Sequence, residues 1–165
     1  MPDETLLTLV DEVRGKTLRL LDGVSPELAR FTGPGLNNSV LWHAGHALML
    51  GEHLCILPAI GGTPQYPAGW FEMFGWRSMP AAVAPGAWPA LSDVMHRLRE
   101  QCARLRALIE GLSPAQLGRI FDPARNRTVR YSIAHGLHDE ACHQGEIHLL
   151  KKLYATQSVA TGGGS

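Results

Sequence analysis

Asp139 and His143 stand four residues apart in a stretch, Ile133 to Tyr154, whose apolar residues recur at helical spacing. On an α-helix this spacing leaves two side chains about 40° apart around the axis and roughly one turn apart along it. A carboxylate and an imidazole so placed can share one metal ion. The same geometry puts His138 about 140° away from His143. We therefore expect His138 to face solvent, or a partner, and not to share that ion.

A third metal donor is expected from another helix. His46 lies in the middle of the inward-facing stripe of the second predicted helix. His53 is nearly in line with it, but at 1.5 Å per residue it lies about 10 Å further along the axis, too far to share one ion with His46. The pattern predicts an open divalent-metal site formed by His46, Asp139 and His143, with coordination positions left for water or substrate.

Three further residues are candidates for roles around this ion, although the pattern identifies no catalytic residue. His53 and His135 are interpreted as pocket groups that hydrogen-bond ligands or substrate. Glu146 lies one turn beyond the site and could accept a hydrogen bond at its edge; a solvated surface position is the equal alternative. Cys142 is about 100° from His143, and this angle favours core packing over ligation.

Simpler interpretations exist for each of these residues. A single buried histidine is usually satisfied by a hydrogen bond and binds no metal, since lone motif matches are weak evidence. Asp139 strengthens the metal hypothesis because a buried aspartate needs a positive partner. A plain ion pair between Asp139 and His143 is the remaining alternative.

Four long helices are predicted to position these side chains. Their bounds are Asp3 to Leu21, Asn38 or Ser39 to Leu57, Pro89 to Gly111, and Thr128 to Tyr154. Pro58 should end the second helix, and residues 122–127 should form a loop. Residues 58–88, rich in proline, glycine and aromatic residues, form a long connection that either lines a substrate pocket or only tethers the helices.

An internal repeat organises these helices. Residues 20–31 resemble residues 108–120, and each segment contains a Ser-Pro turn start. A helix, a Ser-Pro turn, a loop and a second helix thus occur twice, about 88 residues apart. The repeat predicts an all-α four-helix bundle with a long crossover between helices 2 and 3. We expect one domain over residues 1–160 and a flexible tail at residues 161–165.

The overall composition limits the classes of function. The chain of 165 residues is 45% hydrophobic, and its 15 basic residues balance its 15 acidic ones. This balance gives no electrostatic support for a nucleic-acid or membrane partner. Three cysteines without CxxC spacing indicate a reducing compartment, and the acidic N-terminus is unlike a signal peptide. We expect a cytoplasmic protein with a small-molecule substrate.

Two segments, NNSVLWHAGHALMLGEHL (37–54) and HGLHDEACHQGEIHLLKKLY (135–154), resemble the DinB-like superfamily of metal-binding four-helix bundles. In many relatives the second motif reads His-x-x-x-His-x-Gly-Gln-Ile, whereas Asp139 here replaces the first histidine. Relatives similar to mycothiol-dependent maleylpyruvate isomerases have a carboxylate there. The resemblance implies an up-down-down-up topology, a homodimer, and a divalent ion that is usually zinc or nickel, with manganese or iron as other choices.

The resemblance also implies chemistry. Some members of the family carry out metal-dependent transfer or isomerisation with a low-molecular-weight thiol, and this is the leading prediction for the chain. One alternative is a hydrolase that uses metal-bound water in the same site. Another is a non-enzymatic stress-response protein that binds a metal or a small ligand.

Overall fold

Eight α-helices and one short β-hairpin form the part of the chain that the computed structural model describes, residues 1–162 with side chains to residue 157. The helices are α1 (Glu4–Leu21), α2 (Pro26–Arg30), α3 (Val40–Leu50), α4 (Leu57–Ile60), α5 (Trp70–Phe74), α6 (Leu91–Gly111), α7 (Pro114–Gly118) and α8 (Val129–Gly162). The antiparallel strands β1 (Ile120–Asp122) and β2 (Arg127–Thr128) precede α8. The predicted all-α class is confirmed.

Side-chain caps fix the starts of these helices. Asp3 and Ser39 accept hydrogen bonds from backbone amides in the first turns of α1 and α3, which satisfies donors that the helix leaves free. Ser25 and Ser113 cap α2 and α7 in the same way, each followed by a proline in the first turn. The order long helix, Ser-Pro helix, long helix therefore occurs twice, as the repeat predicted.

The second long helix continues beyond its predicted end. A π-helical turn, Gly51–Ile56, follows α3, and α4 then runs to Ile60. Pro58 lies in the first turn of α4. The carbonyl of Leu54, four residues earlier, accepts from the hydroxyl of Ser132 at 2.6 Å, which satisfies the acceptor that a proline leaves without its helical donor. The prediction that Pro58 ends the helix is therefore wrong. The π turn also changes the angular spacing of the side chains within it, and these include His53.

Two other bounds differ from the prediction. The predicted loop at residues 122–127 contributes to the β1–β2 hairpin, because Asp122 pairs with Arg127. Helix α8 runs past the predicted end at Tyr154 to Gly162. Residues 161 and 162 of the predicted tail are thus helical, and residues 163–165 lie outside the described part of the chain.

The four long elements pack so that α1 and α3 each contact both α6 and α8. One core cluster includes residues of α3 and α5, with Leu48 and Phe74 almost fully buried. A second cluster joins α1, α6 and the start of α8, with Val10 and Ile133 fully buried. Among residues 1–162, no helix combines the length and the apolarity needed to cross a bilayer.

A buried polar network links these helices. Arg14 of α1 donates to Glu140 of α8 at 2.9 Å and to Gln101 of α6 at 3.0 Å. The hydroxyl of Thr17 donates to the other oxygen of Glu140 at 2.7 Å. Gln101 donates in turn to Glu52 at 2.9 Å. Because buried charges are tolerated when they are paired and hydrogen-bonded, this network constrains how α1, α6 and α8 align.

Candidate metal centre

Three imidazoles meet between α3 and α8, and we call His43, His46 and His143 the inner group. His43 and His46 are three residues apart, which places both on one face of α3, and each is only 5% exposed. The Nδ1 atoms of His43 and His143 lie 2.8 Å apart. The ring centroids of His46 and His143 are separated by 4.7 Å. The structure therefore brings together two of the three predicted metal ligands, with His43 as an additional member.

The ring of His46 is held from two sides. Its Nδ1 lies 2.5 Å from the carbonyl oxygen of Phe74, and its face stacks on Trp42 with centroids 4.6 Å apart. A carbonyl only accepts, so Nδ1 carries the proton and Nε2 keeps a free lone pair. Gly45 permits this contact, because a Cβ there would lie 2.3 Å from the Phe74 ring.

The inner group is electrically neutral at pH 7. Burial, reinforced by the neighbouring His143 and His46, lowers the pKa of His43 to about 3. Burial, and then His46, lowers the pKa of His143 to about 4, against an opposing effect of Asp139. Burial also lowers the pKa of His46. Neutral imidazoles have the lone pair that a metal needs, and no proton must leave before binding.

The contact between His43 and His143 fixes their tautomers relative to each other. Two neutral rings that face each other through Nδ1 share one proton, so one ring donates and the other accepts. When His143 donates and His43 accepts, Nε2 of His143 has the free lone pair. A ligand role for this Nε2 therefore requires His43 as the acceptor, in the way that outer hydrogen-bond partners orient metal-binding histidines.

Asp139 lies at the edge of the inner group. Its negative charge raises the pKa values of His46 and His143, although burial outweighs this effect in both. Its carboxylate oxygens, however, lie 3.7 Å from Nε2 of His135 and 3.5 Å from Nδ1 of His138. The side chain is about one-third exposed. Asp139 therefore stands between the inner histidines and two histidines nearer the surface.

We call His135, His138 and Asp139 the outer group. One ligand atom from each lies within 4.8 Å of the others, close enough to hold a metal ion. His138 is 73% exposed, so the prediction that it faces solvent is confirmed. Of the three predicted metal ligands, only Asp139 belongs to the outer group. The other two members, His135 and His138, lie on the same helix as Asp139.

His53 lies near the inner group through shared aromatic contacts. Its Nε2 is 2.9 Å from the hydroxyl of Tyr66, and its ring packs edge-on against Trp76 at 5.5 Å. Trp76 also contacts His46, with centroids 5.6 Å apart. Burial lowers the pKa of His53. A pocket role for His53 fits this position but stays a prediction.

The remaining candidates point elsewhere. Glu146 is exposed, which agrees with its interpretation as a solvated residue. Cys142 is also exposed, so its predicted place in the core is wrong: its angle to His143 turns it away from the interior. Cys55 is buried, and burial raises the pKa of its thiol to about 12, which leaves it unreactive at neutral pH.

An open surface pocket of about 420 Å³ is lined by residues 71–83 and is connected to the inner group through two of its lining residues. Trp76, which contacts His46, lines it, and so does Ser78, whose hydroxyl accepts from the indole N–H of Trp42 at 2.9 Å. Both lining residues come from the long connection at 58–88. This connection therefore packs against the inner group instead of standing free.

Two contributors to the centre were absent from the predicted set. His43 could have been found from its spacing, since histidines three apart on a helix are neighbours. The carbonyl of Phe74 gave no sequence signal, because a backbone atom carries none and its approach depends on the path of residues 61–74. Gly45 is the residue in the sequence that reflects the close approach of Phe74 to α3.

Helices that present two facing imidazoles and a nearby carboxylate define a class of all-α domains able to hold a metal ion. The sequence profile of the DinB superfamily matches residues 9–147. The chain therefore belongs to the DinB superfamily. A search of curated proteins returned no match to the chain.

Proposed function

We propose that this DinB superfamily protein binds one divalent metal ion through His46, Asp139 and His143. We further propose that it is an enzyme that uses the ion for transfer or isomerisation with a low-molecular-weight thiol. The observation that carries the metal proposal is the contact of two neutral imidazoles from different helices, 4.7 Å apart at their centroids, within the field of the Asp139 carboxylate.

The donor set suits a borderline divalent ion. Imidazole nitrogen and carboxylate oxygen both bind zinc and nickel, which makes these the expected metals, and the same donors accept manganese or iron. His46 is pre-oriented because Phe74 holds its Nδ1 and leaves Nε2 free. Three protein donors leave coordination positions for a small molecule.

The bound ion would supply Lewis acidity, which lowers the pKa of a thiol or water. The surrounding residues would orient the ligands and shield the reaction from bulk water. His43 holds His143 through their Nδ1 atoms, and Trp42 supports the face of His46. Trp76 forms an apolar wall towards the open surface pocket, and His53 with its Tyr66 partner offers polar contacts to a substrate.

Family membership supports three wider expectations. We expect the long helices to form a bundle with the DinB-like up-down-down-up topology, since α1 and α3 each contact α6 and α8. We also expect a homodimer in solution and a cytoplasmic location. Light scattering coupled to gel filtration checks the oligomeric state: a mass of one chain of 18.0 kDa would contradict the homodimer.

Metal content tests the proposed ligands. Wild-type protein, His46→Gln and His143→Gln are loaded with zinc, dialysed against metal-free buffer and assayed for zinc by elemental analysis. We expect about one retained equivalent in wild type and its loss in both variants. The matched control is His148→Gln, an exposed histidine on the same helix, which should retain the ion. Retention by both His46→Gln and His143→Gln would refute these ligands.

Thermal-shift measurements test the thiol proposal. Zinc-loaded protein is heated with cysteine or glutathione, and with S-methylcysteine as the control that lacks the thiol. Stabilisation by the thiols alone, absent from the metal-free protein, supports thiol chemistry. Equal melting temperatures in all mixtures would reject it and favour hydrolysis or non-enzymatic binding.

A further inference from the structure

The outer group has the geometry of a cation site of its own. His135, His138 and Asp139 occupy positions i, i+3 and i+4 of α8, which are neighbours on one helix face. Nε2 of His135 lies 3.7 Å from one carboxylate oxygen of Asp139, and Nδ1 of His138 lies 3.5 Å from the other. Two donors that each bind zinc at about 2.1 Å in a tetrahedral site are about 3.4 Å apart. Small side-chain movements would therefore suffice for all three donors to reach one ion.

The rings of His135 and His138 have a defined orientation, and both must turn for their in-plane lone pairs to meet at one ion. His135 and His138 are nearly parallel, with an interplanar angle of 12° and centroids 6.5 Å apart. Tyr131, one turn earlier, stacks on His135 at 5.7 Å. This stacking restricts the rotation of His135 and lowers the entropy that a bound ion would have to remove. The high exposure of His138 gives a cation direct access from solvent.

We propose that His135, His138 and Asp139 form a second, solvent-facing divalent-cation site that shares Asp139 with the inner site. Two imidazoles and one carboxylate favour zinc, nickel, cobalt or copper over magnesium or calcium, which prefer oxygen donors. This site binds more weakly than the inner site, because its histidines are more exposed and must lose more side-chain freedom.

The shared carboxylate couples the two sites. A carboxylate has two oxygen atoms that can bind two different ions. In the structure each oxygen of Asp139 faces a different outer histidine, so the side chain would rotate to give one oxygen to each ion. An ion in the outer site would therefore draw charge from the residue that also influences His46 and His143. Filling the outer site should change the electronic environment of the inner ion.

Cobalt titration separates the two sites, because the visible absorption of cobalt reports its ligands. Wild-type protein should bind two equivalents in sequence, and the second should alter the spectrum of the first. His135→Gln and His138→Gln should each lower the affinity for the second equivalent at least tenfold and leave the first intact. His148→Gln on the same helix serves as the control and should keep both. Circular dichroism verifies that each variant is folded.

Substitutions of the inner ligands distinguish the outer site from the proposed inner site. His46→Gln and His143→Gln should lose the tight equivalent but still bind cobalt at the outer site, whereas Asp139→Asn should weaken both. A single equivalent in wild type up to millimolar cobalt, or two unchanged equivalents in His135→Gln and His138→Gln, would overturn the outer site. Loss of the only tight equivalent in His138→Gln, with none lost in His46→Gln, would instead refute the inner ligands.

Discussion

The Nδ1 atoms of His43 and His143 lie 2.8 Å apart and join α3 to α8 at the centre of the candidate site. His43 is 5% exposed, so water competes little for this hydrogen bond. The two rings share one proton, and the direction of the bond decides which nitrogen of His143 is free. A residue that need not touch the ion thus controls the availability of a ligand.

Replacement of His43 should weaken metal binding without removing a ligand. His43→Leu fills similar space but cannot accept from His143, so the ring of His143 is no longer fixed. We expect zinc affinity to fall by about 10- to 100-fold, the usual effect of losing an outer hydrogen-bond partner. His43→Asn retains an acceptor and should lose less. Competition with a chromophoric chelator measures the affinities, and equal values for His43→Leu and wild type would contradict this role.

The metal-free protein should lose stability as the pH falls below about 6.5. The folded-state pKa of His43 is lowered to about 3 by burial and then by its two histidine neighbours, so below pH 6.5 the unfolded chain binds more protons than the folded one. At pH 5 this difference costs about 2 kcal/mol from His43 alone. Urea unfolding at pH 7.5 and pH 5 measures the loss, and His43→Leu should show a smaller one. Identical pH dependence in the variant would exclude His43 as the cause.

Gly45→Ala should disturb both stability and the site. The new Cβ would lie 2.3 Å from the ring of Phe74, so α5 must move and its carbonyl would leave His46. We expect a loss of about 1–3 kcal/mol in the free energy of unfolding and weaker zinc binding. Gly145→Ala, with open space around its Cβ, is the control and should gain up to about 1 kcal/mol. Equal behaviour of the two variants in urea unfolding would contradict the packing argument.

Loss of the ion pair between Arg14 and Glu140 should lower the free energy of unfolding more than the loss of an exposed charge on α8. Both side chains are 2% exposed, and Glu140→Ala would leave a buried guanidinium without its charge partner. We expect a loss of about 3–5 kcal/mol in the free energy of unfolding. The exposed Glu146→Ala on the same helix should change it by less than about 0.5 kcal/mol. A small effect of Glu140→Ala in urea unfolding would show that water or another group compensates Arg14.

Local patterns predicted much of the fold. The repeat was recognised from the two Ser-Pro segments, in which Ser25 and Ser113 are helix caps. Helical spacing predicted that His46 and His143 face one another. Spacing could not predict the path of the chain at residues 51–56, because the π turn depends on packing against α6 and α8. Helical spacing also could not predict the orientation of the Asp139 side chain. This orientation depends on contacts with both the inner and the outer histidines.

Helical spacing also failed to identify the fully buried carboxylate of α8. Helical angles selected Asp139 as the inward acidic residue, whereas its neighbour Glu140 is the fully buried one. Glu140 is satisfied by Arg14 and Thr17 of α1, residues more than 120 positions away. A sequence pattern on one helix contains no information about such partners, so the structural role of Glu140 emerged only with the packing of α1 against α8.

Anomalous diffraction at the zinc edge, from crystals of zinc-loaded protein, would locate the bound ion and its ligands. We expect a peak about 2.0–2.1 Å from Nε2 of His46, with His143 and an Asp139 oxygen at similar distances. A weaker second peak between His135 and His138 would report the outer site. A peak at the outer site alone, with the rings of His46 and His143 unchanged and uncoordinated, would contradict the proposed metal centre.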